Sequence, residues 1–220
     1  MPWNNNANRF ISKRSKSPGT LNREGIKRDV VVIGASAGGV AALTELFAAL
    51  PPDTAAAIGV VLHRSTSPSD LAEVLGRHSH LPVIEPDNHN QLQRGIIYLA
   101  PPDQHLLFNE GGVMVQRGPK EHSTRPAIDP LFRSAAETYG ERVLGVQLTG
   151  CGEDGVSGLL HINAAAGLAI AQDPAEAYMP YMPLNALRFD DVTGVFPLSD
   201  IASVIAALAA GREVPQRKHR

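Results

Sequence analysis

The sequence predicts an α/β fold: a doubly wound, mostly parallel sheet with helices on both faces and a small antiparallel hairpin insertion. Three observations carry that expectation. From Asp29 onward, short apolar runs alternate with amphipathic stretches. Val30-Val-Val-Ile33 puts four β-branched apolar residues in succession, the pattern of a strand covered on both faces. With 220 residues and 43% hydrophobic composition the chain can bury one substantial core, and no apolar run approaches membrane-spanning length.

The elements follow in order. The first strand begins at Val30 and enters the glycine-rich turn Gly34-Ala-Ser-Ala-Gly-Gly39, after which Val40, Leu43, Leu46, Phe47 and Leu50 recur at helical spacing. Ala57 to Leu62 reads as a second strand, and Ser69 to Arg77 as a helix opened by Ser67-Pro-Ser69. Pro82 to Ile84 is a short third strand. Ile96 to Ala100 and His105 to Phe108, joined by Pro101-Pro-Asp-Gln104, read as a hairpin, with Val113 to Gln116 as a third member after Gly111-Gly112. Asp129 to Tyr139 is a helix, Val143 to Leu148 a buried strand and Val156 to Ala166 a helix. Leu168 to Ala171 is a strand, Leu184 to Phe189 a short helix, Val192 to Phe196 the last strand and Ser199 to Ala209 the closing helix. There is no internal repeat.

Charge divides the chain. Residues 1 to 28 carry seven Lys and Arg against Glu24 alone, whereas the whole chain has a formal net charge of −2. Rich in Asn, Ser and Gly and poor in apolar residues, this segment cannot offset its ordering entropy by burial and is expected to be a disordered basic tail. An acidic partner is the functional reading of that charge, and a solvated extension the structural one. Residues 29 to 212 are then the folded domain and 213 to 220 a polar C-terminal tail. The single Cys151 excludes an intrachain disulfide framework and suits a reducing, cytoplasmic compartment, as does an N-terminus without a signal peptide's apolar core.

Ser36, at the tip of the first turn, admits three readings. It caps the following helix. It stands in a variant dinucleotide fingerprint, in which it replaces the middle glycine and Arg64 would meet a 2′-phosphate. Or it is a nucleophile, because Gly34-Ala-Ser36-Ala-Gly38 fits G-x-S-x-G between strand and helix. A geometric test bears on the third reading. Open parallel sheets bind ligands outside the carboxyl ends of their strands, so partners of Ser36 should follow other buried strands. His63 follows the strand ending at Leu62, and Asp154 lies in Thr149-Gly-Cys-Gly-Glu-Asp-Gly155 after the strand ending near Leu148. A hydroxyl, an imidazole to take its proton and a carboxylate to hold the imidazole are the parts of a serine hydrolase site.

The order Ser, His, Asp differs from that of α/β-hydrolases, where the acid precedes the histidine. The segments Ile33-Gly-Ala-Ser-Ala-Gly-Gly39, Val61-Leu-His63, Tyr98-Leu-Ala-Pro-Pro-Asp-Gln-His105, Arg125-Pro-Ala-Ile-Asp129 and Leu148-Thr-Gly-Cys-Gly-Glu-Asp-Gly155 together resemble the CheB-type chemotaxis protein-glutamate methylesterases over about residues 29 to 210. The resemblance implies hydrolysis of glutamate γ-methyl esters on methylated chemoreceptors, deamidation of certain receptor glutamines, and no cofactor or metal. It places the nucleophile on Ser36, the base on His63, the acid on Asp154 and the oxyanion donor on the backbone amide of Cys151.

The chain departs from the family pattern in places. Only 28 mostly polar residues precede the domain, where such esterases carry a phosphorylatable receiver. Ala37 follows the nucleophile in place of a frequent hydroxyl residue, Tyr181-Met-Pro183 replaces a usual Gly-Met-Pro, and Glu153 replaces an Asn beside the acid. Arg125 and Asp129 are candidates to line the cleft, although Asp129 can equally begin its helix. His78, His80 and His89 invite a metal proposal but lack a carboxylate partner. With Trp3 as the sole tryptophan and few aromatics, nothing suggests a platform for nucleic acid. The expectation is a stand-alone serine esterase of chemotaxis or a related signalling pathway; the alternative is a catalytically weak homologue serving as an adaptor.

Overall fold

The computed structural model describes residues 20–22, 25–88, 90–110, 112–189 and 192–215. Its centre is a seven-stranded sheet in which every pairing is parallel. The chain enters through β1 (Val30–Ala35), α1 (Gly39–Ala49), β2 (Ala57–Leu62), α2 (Leu71–Gly76), β3 (Val83–Ile84) and β4 (Ile96–Leu99). A two-stranded antiparallel sheet, β5 (His105–Asn109) with β6 (Gly112–Gln116), interrupts the alternation. Then come α3 (Ile128–Tyr139), β7 (Val143–Gln147), α4 (Val156–Ala164), β8 (Leu168–Gln172), α5 (Tyr181–Phe189), β9 (Gly194–Phe196) and α6 (Leu198–Ala209).

Strand order is β3-β4-β2-β1-β7-β8-β9. Progress across the sheet therefore runs one way from β1 to β3 and the other way from β7 to β9. The carboxyl ends of β1, β2 and β7 flank that reversal, where two loops diverge and leave a crevice. Alternation along the strands separates two cores. Val31, Ile33 and Ala35 pack with Leu43, Leu46 and Phe47 of α1 and Ile201 and Ile205 of α6. Val30 and Val32 face the opposite layer, with Ile128, Leu131 and Phe132 of α3 and Leu159 of α4.

Five expectations change. Ile96 to Ala100 is no hairpin arm: β4 pairs in parallel with β2 and β3, and the antiparallel partners are β5 and β6. Burial of Ile97, Tyr98 and Leu99 accounts for this, since an arm buried on both faces belongs in the main sheet. The α2 helix is shorter than Ser69 to Arg77, and α5 begins three residues before Leu184, with Met182 and Pro183 buried in its first turn.

The remaining two changes concern the ends of the domain. Leu21, Asn22 and Arg28 are buried, so the expected tail does not run through residue 28. The Leu21 N–H donates to the Val214 carbonyl at 2.7 Å, Arg28 N–H to Leu208 at 2.9 Å, and Thr20 forms an antiparallel bridge with Pro215. Leu21 and Val214 join the core under α1 and α6, and their apolar burial brings both ends onto the body. The folded body thus extends beyond 29 to 212 at each end. Residues 1–19, 23 and 24, which hold most of the basic charge, lie outside the described residues, as do 216–220.

Candidate active site

The site is built from three strand ends. Ser36 follows β1 in a turn stitched to the β7 side: its N–H donates to the Thr149 carbonyl at 3.0 Å, and Thr149 Oγ1 donates to the Ala37 carbonyl at 2.9 Å. Gly38, at φ +80° and ψ −3°, turns the chain into α1. The N-cap position of α1 is Gly38, not Ser36, which removes the plainest structural reading of that hydroxyl.

His63 follows β2, and its backbone N–H bonds the Ala35 carbonyl at 3.0 Å, so β1 and β2 stay in register to their ends. The side chain is 19% exposed and turns Nε2 toward Asp154 Oδ2 at 2.7 Å; Asp154 itself is 1% exposed. With Nε2 committed to the carboxylate, Nδ1 is the nitrogen left to exchange a proton with substrate or nucleophile. Ser36 and His63 line one cleft of about 570 Å³ together with Val40, Arg64, Leu71 and Tyr178. No hydrogen bond joins their two side chains among the described residues, in keeping with the loose contacts common in unliganded sites.

Two buried carboxylates hold this corner. Asp154, just before α4, accepts the N–H groups of Ile128 at 2.7 Å and Asp129 at 2.9 Å, the first residues of α3. Asp129, in the first turn of α3, accepts the N–H groups of Gly155 at 3.1 Å and Gly158 at 2.7 Å, at the start of α4. Each helix thus receives its cap from an acid beside the other. Burial alone would push the Asp154 carboxyl up, but the His63 hydrogen bond and the Ile128 and Asp129 amides carry it below its ordinary value, so it is ionised at neutral pH. Burial dominates at Asp129 and, with the Asp154 charge beside it, raises that carboxyl despite the Gly158 amide and a bond from His122.

The loop after β7 passes close to the serine. Gly150 donates to the Met179 carbonyl and accepts from the Met182 N–H, both at 2.9 Å. A Cβ there would overlap Met182 Sδ and lie 2.7 Å from Ser36 Cβ, so only glycine lets this backbone approach. The next residue is Cys151, with an exposed thiol. Its loop is tied to α5 by Asn185 Nδ2 donating to the Gly152 carbonyl at 2.8 Å. Backbone so near the serine can present an amide to a developing oxyanion.

Other candidates resolve differently. Arg64 is engaged by Glu85 at 2.6 Å and Ser69 at 2.8 Å, which disfavours a role toward a nucleotide phosphate. Arg125 pairs with Asp103 at 2.6 Å and serves the loop beyond β6. Glu153 is exposed and faces water, and Tyr181 opens α5 with 56% exposure. His78 and His80 are exposed, and His89 lies outside the described residues. One group among the described residues, His122, Asp129 and Asp154, brings three metal-ligating atoms within 4.8 Å. Their carboxylate oxygens already accept hydrogen bonds from the protein, so a metal would have to displace them. Sequence reasoning passed over His122 altogether: no strand end or motif spacing marked it.

Comparison with known proteins bears on the family and the fold. A family model described as CheB methylesterase matches residues 31–205. A relative from Anaeromyxobacter dehalogenans, named protein-glutamate methylesterase/protein-glutamine glutaminase 2, is 39% identical over 181 residues, covering 82% of this chain and 53% of that protein. A relative from Leptospira interrogans is 33% identical over 182 residues, 82% of this chain and 94% of the relative. The chain thus spans about half of the first and nearly all of the second. The crystal structure of the Thermotoga maritima CheB methylesterase catalytic domain superposes with a TM-score of 0.76 at 31% identity, over 82% of this chain and 98% of that one. The chain belongs to the CheB methylesterase family.

Proposed function

We propose that this chain is a serine esterase that hydrolyses glutamate γ-methyl esters on chemoreceptors and deamidates glutamine at the same site. One observation carries the reading: an imidazole hydrogen-bonded at 2.7 Å to a buried, ionised carboxylate shares a single cleft with the hydroxyl of a glycine-flanked serine. Ser36 Oγ attacks the ester carbonyl while His63 Nδ1 takes its proton, and Asp154 stabilises the resulting imidazolium through Nε2–H. The backbone amide of Cys151 donates to the oxyanion, and its thiol takes no part. Collapse of the tetrahedral adduct returns the proton to the departing methoxide, releasing methanol and leaving an acyl ester on Ser36. Water, deprotonated by His63, then hydrolyses that ester to glutamate and free serine. With glutamine the leaving group is ammonia.

The substrate is a methylated receptor segment reached from the cytoplasm, and the basic residues before Arg28, which is itself buried, engage an acidic partner through charge. Among the described residues no helix is long and apolar enough to cross a membrane. The test is methanol release from methylated receptor by the purified protein. Loss of that release in Ser36→Ala supports the proposal, whereas a folded wild-type protein that releases no methanol points to an adaptor instead. Residual turnover in Ser36→Ala close to wild type removes Ser36 from the mechanism.

A further inference from the structure

His122 sits where the described mechanism makes no use of it, yet it lies near Asp154, on the carboxylate oxygen that His63 does not bond. Its Nε2 lies 2.9 Å from Asp129 Oδ2 and 4.0 Å from Asp154 Oδ1. The residue is held at φ +48°, and Ser123 beside it at φ +62°, a left-handed pair that non-glycine residues rarely form. The turn is closed by two backbone hydrogen bonds between Glu121 and Thr124, at 3.2 and 2.9 Å. The corner therefore contains two histidine–carboxylate pairs, His63 with Asp154 and His122 with Asp129, and the two carboxylates cap each other's helices.

We propose that His122 and Asp129 are positioning residues of the esterase site: Asp129 fixes the loop that carries Asp154, and the His122 cation offsets the charge of the second buried carboxylate. The inference rests on the esterase reading for its consequence in turnover. The argument is one of charge. Two carboxylates, 1 to 2% exposed and so close together, repel each other, and one of them would take up a proton unless a cation lay beside both. Among the described residues, His122 is the basic side chain within 4.0 Å of both carboxylates. The charged groups facing it are Asp129 from α3, Asp154 from the loop before α4 and the neighbouring Glu121. Glu121 is itself bound by Arg133 of α3, at 2.7 and 2.9 Å, so its charge is already offset. Although burial works against the charged ring, the hydrogen bond to Asp129 and the charge of Asp154 hold the His122 titration above its ordinary range.

The coupling is reciprocal, because any effect of Asp154 on the charge of His122 is matched by an equal effect of His122 on Asp154. At pH values where His122 is charged, it moderates the pull of the acid on a second proton at the base. In His122→Asn that moderation is lost, and the low-pH limb of the kcat/KM profile moves to higher pH, by roughly half to one unit for a unit charge removed 4.0 Å from the carboxylate that holds the base. Asparagine accepts the left-handed backbone, so the variant is expected to fold, which a thermal melt verifies.

The experiment has two arms. In the first, the pH profile of ester hydrolysis is compared between wild type and His122→Asn, using a small soluble glutamate methyl ester. In the second, the His122 ring is titrated by NMR in wild type, Asp129→Asn and Asp154→Asn, with no need for turnover. We expect the shifted limb in the first arm and a lower His122 midpoint in both variants in the second. Superimposable rate profiles, or a His122 midpoint that does not move in Asp154→Asn, would overturn the proposal. If wild type shows no Ser36-dependent turnover the esterase reading fails on its own, and the NMR arm still decides whether the pair exists.

Discussion

Replacing Asp154 with Asn removes one charge and almost no volume, and the structure lets its consequence be worked out atom by atom. The carboxylate accepts three hydrogen bonds, from His63 Nε2 and the Ile128 N–H at Oδ2, both 2.7 Å, and from the Asp129 N–H at Oδ1, 2.9 Å. An amide has one oxygen and one NH2 group, so it can satisfy only one side. If the oxygen takes the Oδ2 position, the NH2 group faces the Asp129 N–H, leaving a buried donor without an acceptor at a cost of about 1–3 kcal/mol. If it takes the Oδ1 position, the NH2 group faces His63 Nε2 and the ring must accept there, so Nδ1 carries the proton and cannot act as a base. Neither orientation stabilises an imidazolium. A loss of kcat on the order of 10³ to 10⁴ is expected, with KM within a few-fold of wild type, because tautomer and charge are affected rather than the cleft. The assay is initial-rate hydrolysis of a glutamate methyl ester across substrate concentration, with a thermal melt beside it. A folded Asp154→Asn enzyme within tenfold of wild-type kcat would refute the pairing of His63 with Asp154 as part of the catalytic unit.

Three further outcomes are expected. Ser36→Ala and His63→Ala each abolish most turnover, and the double variant loses little more, because they share one proton transfer; independent multiplication of the losses in rate assays would exclude that. Gly150→Ala lowers kcat by at least tenfold, and adding Met182→Ala does not restore it, since the new Cβ still lies 2.7 Å from Ser36 Cβ; full recovery in the double variant would place the clash elsewhere. Asp29 is 2% exposed, and burial works to raise its carboxyl, but Arg142 at 2.8 Å, together with Arg94, holds it below its ordinary value. That stabilisation is full above the ordinary carboxylate range and is lost as pH falls through the lowered value. Asp29→Asn is expected to cost about 2 kcal/mol at neutral pH in denaturant unfolding, with the difference from wild type narrowing in acid.

What the sequence made legible follows from where the determinants are local. The Val30 to Ile33 run and the helical spacing after Gly39 are self-contained patterns, and β1 and α1 formed where those patterns lie. The candidate site residues are legible because strand ends in a parallel sheet converge, so the order of strands is enough to bring Ser36 and His63 to one cleft and Asp154 against His63. The pairing of β4 is not legible in the sequence because an apolar run followed by Pro-Pro looks the same whether its partner is the next strand or one 40 residues earlier. The end of the basic segment leaves little trace in the sequence because Leu21 is a single apolar residue in a polar stretch, and its partner, Val214, lies at the other end of the chain. His122 escaped notice for a related reason. Its significance comes from two acids on different elements and a left-handed turn, neither of which leaves a periodic trace in the sequence.

The exchange of caps between α3 and α4 has a mechanical consequence. Asp154 is both the partner of His63 and the fastening of α3, so the spacing between two helices and the distance to the imidazole are one measurement read at two ends. A slide of α4 along α3 by about 1 Å would stretch the 2.7 Å bond to His63 out of hydrogen-bonding range, a displacement of the size that costs enzymes two orders of magnitude in rate. On the proposed mechanism, turnover would therefore be a strain gauge for the α3–α4 joint. Substitutions outside the cleft lining that loosen the joint, such as those at Phe132, which a Cβ at Gly158 would meet, should dim catalysis before they measurably unfold the domain.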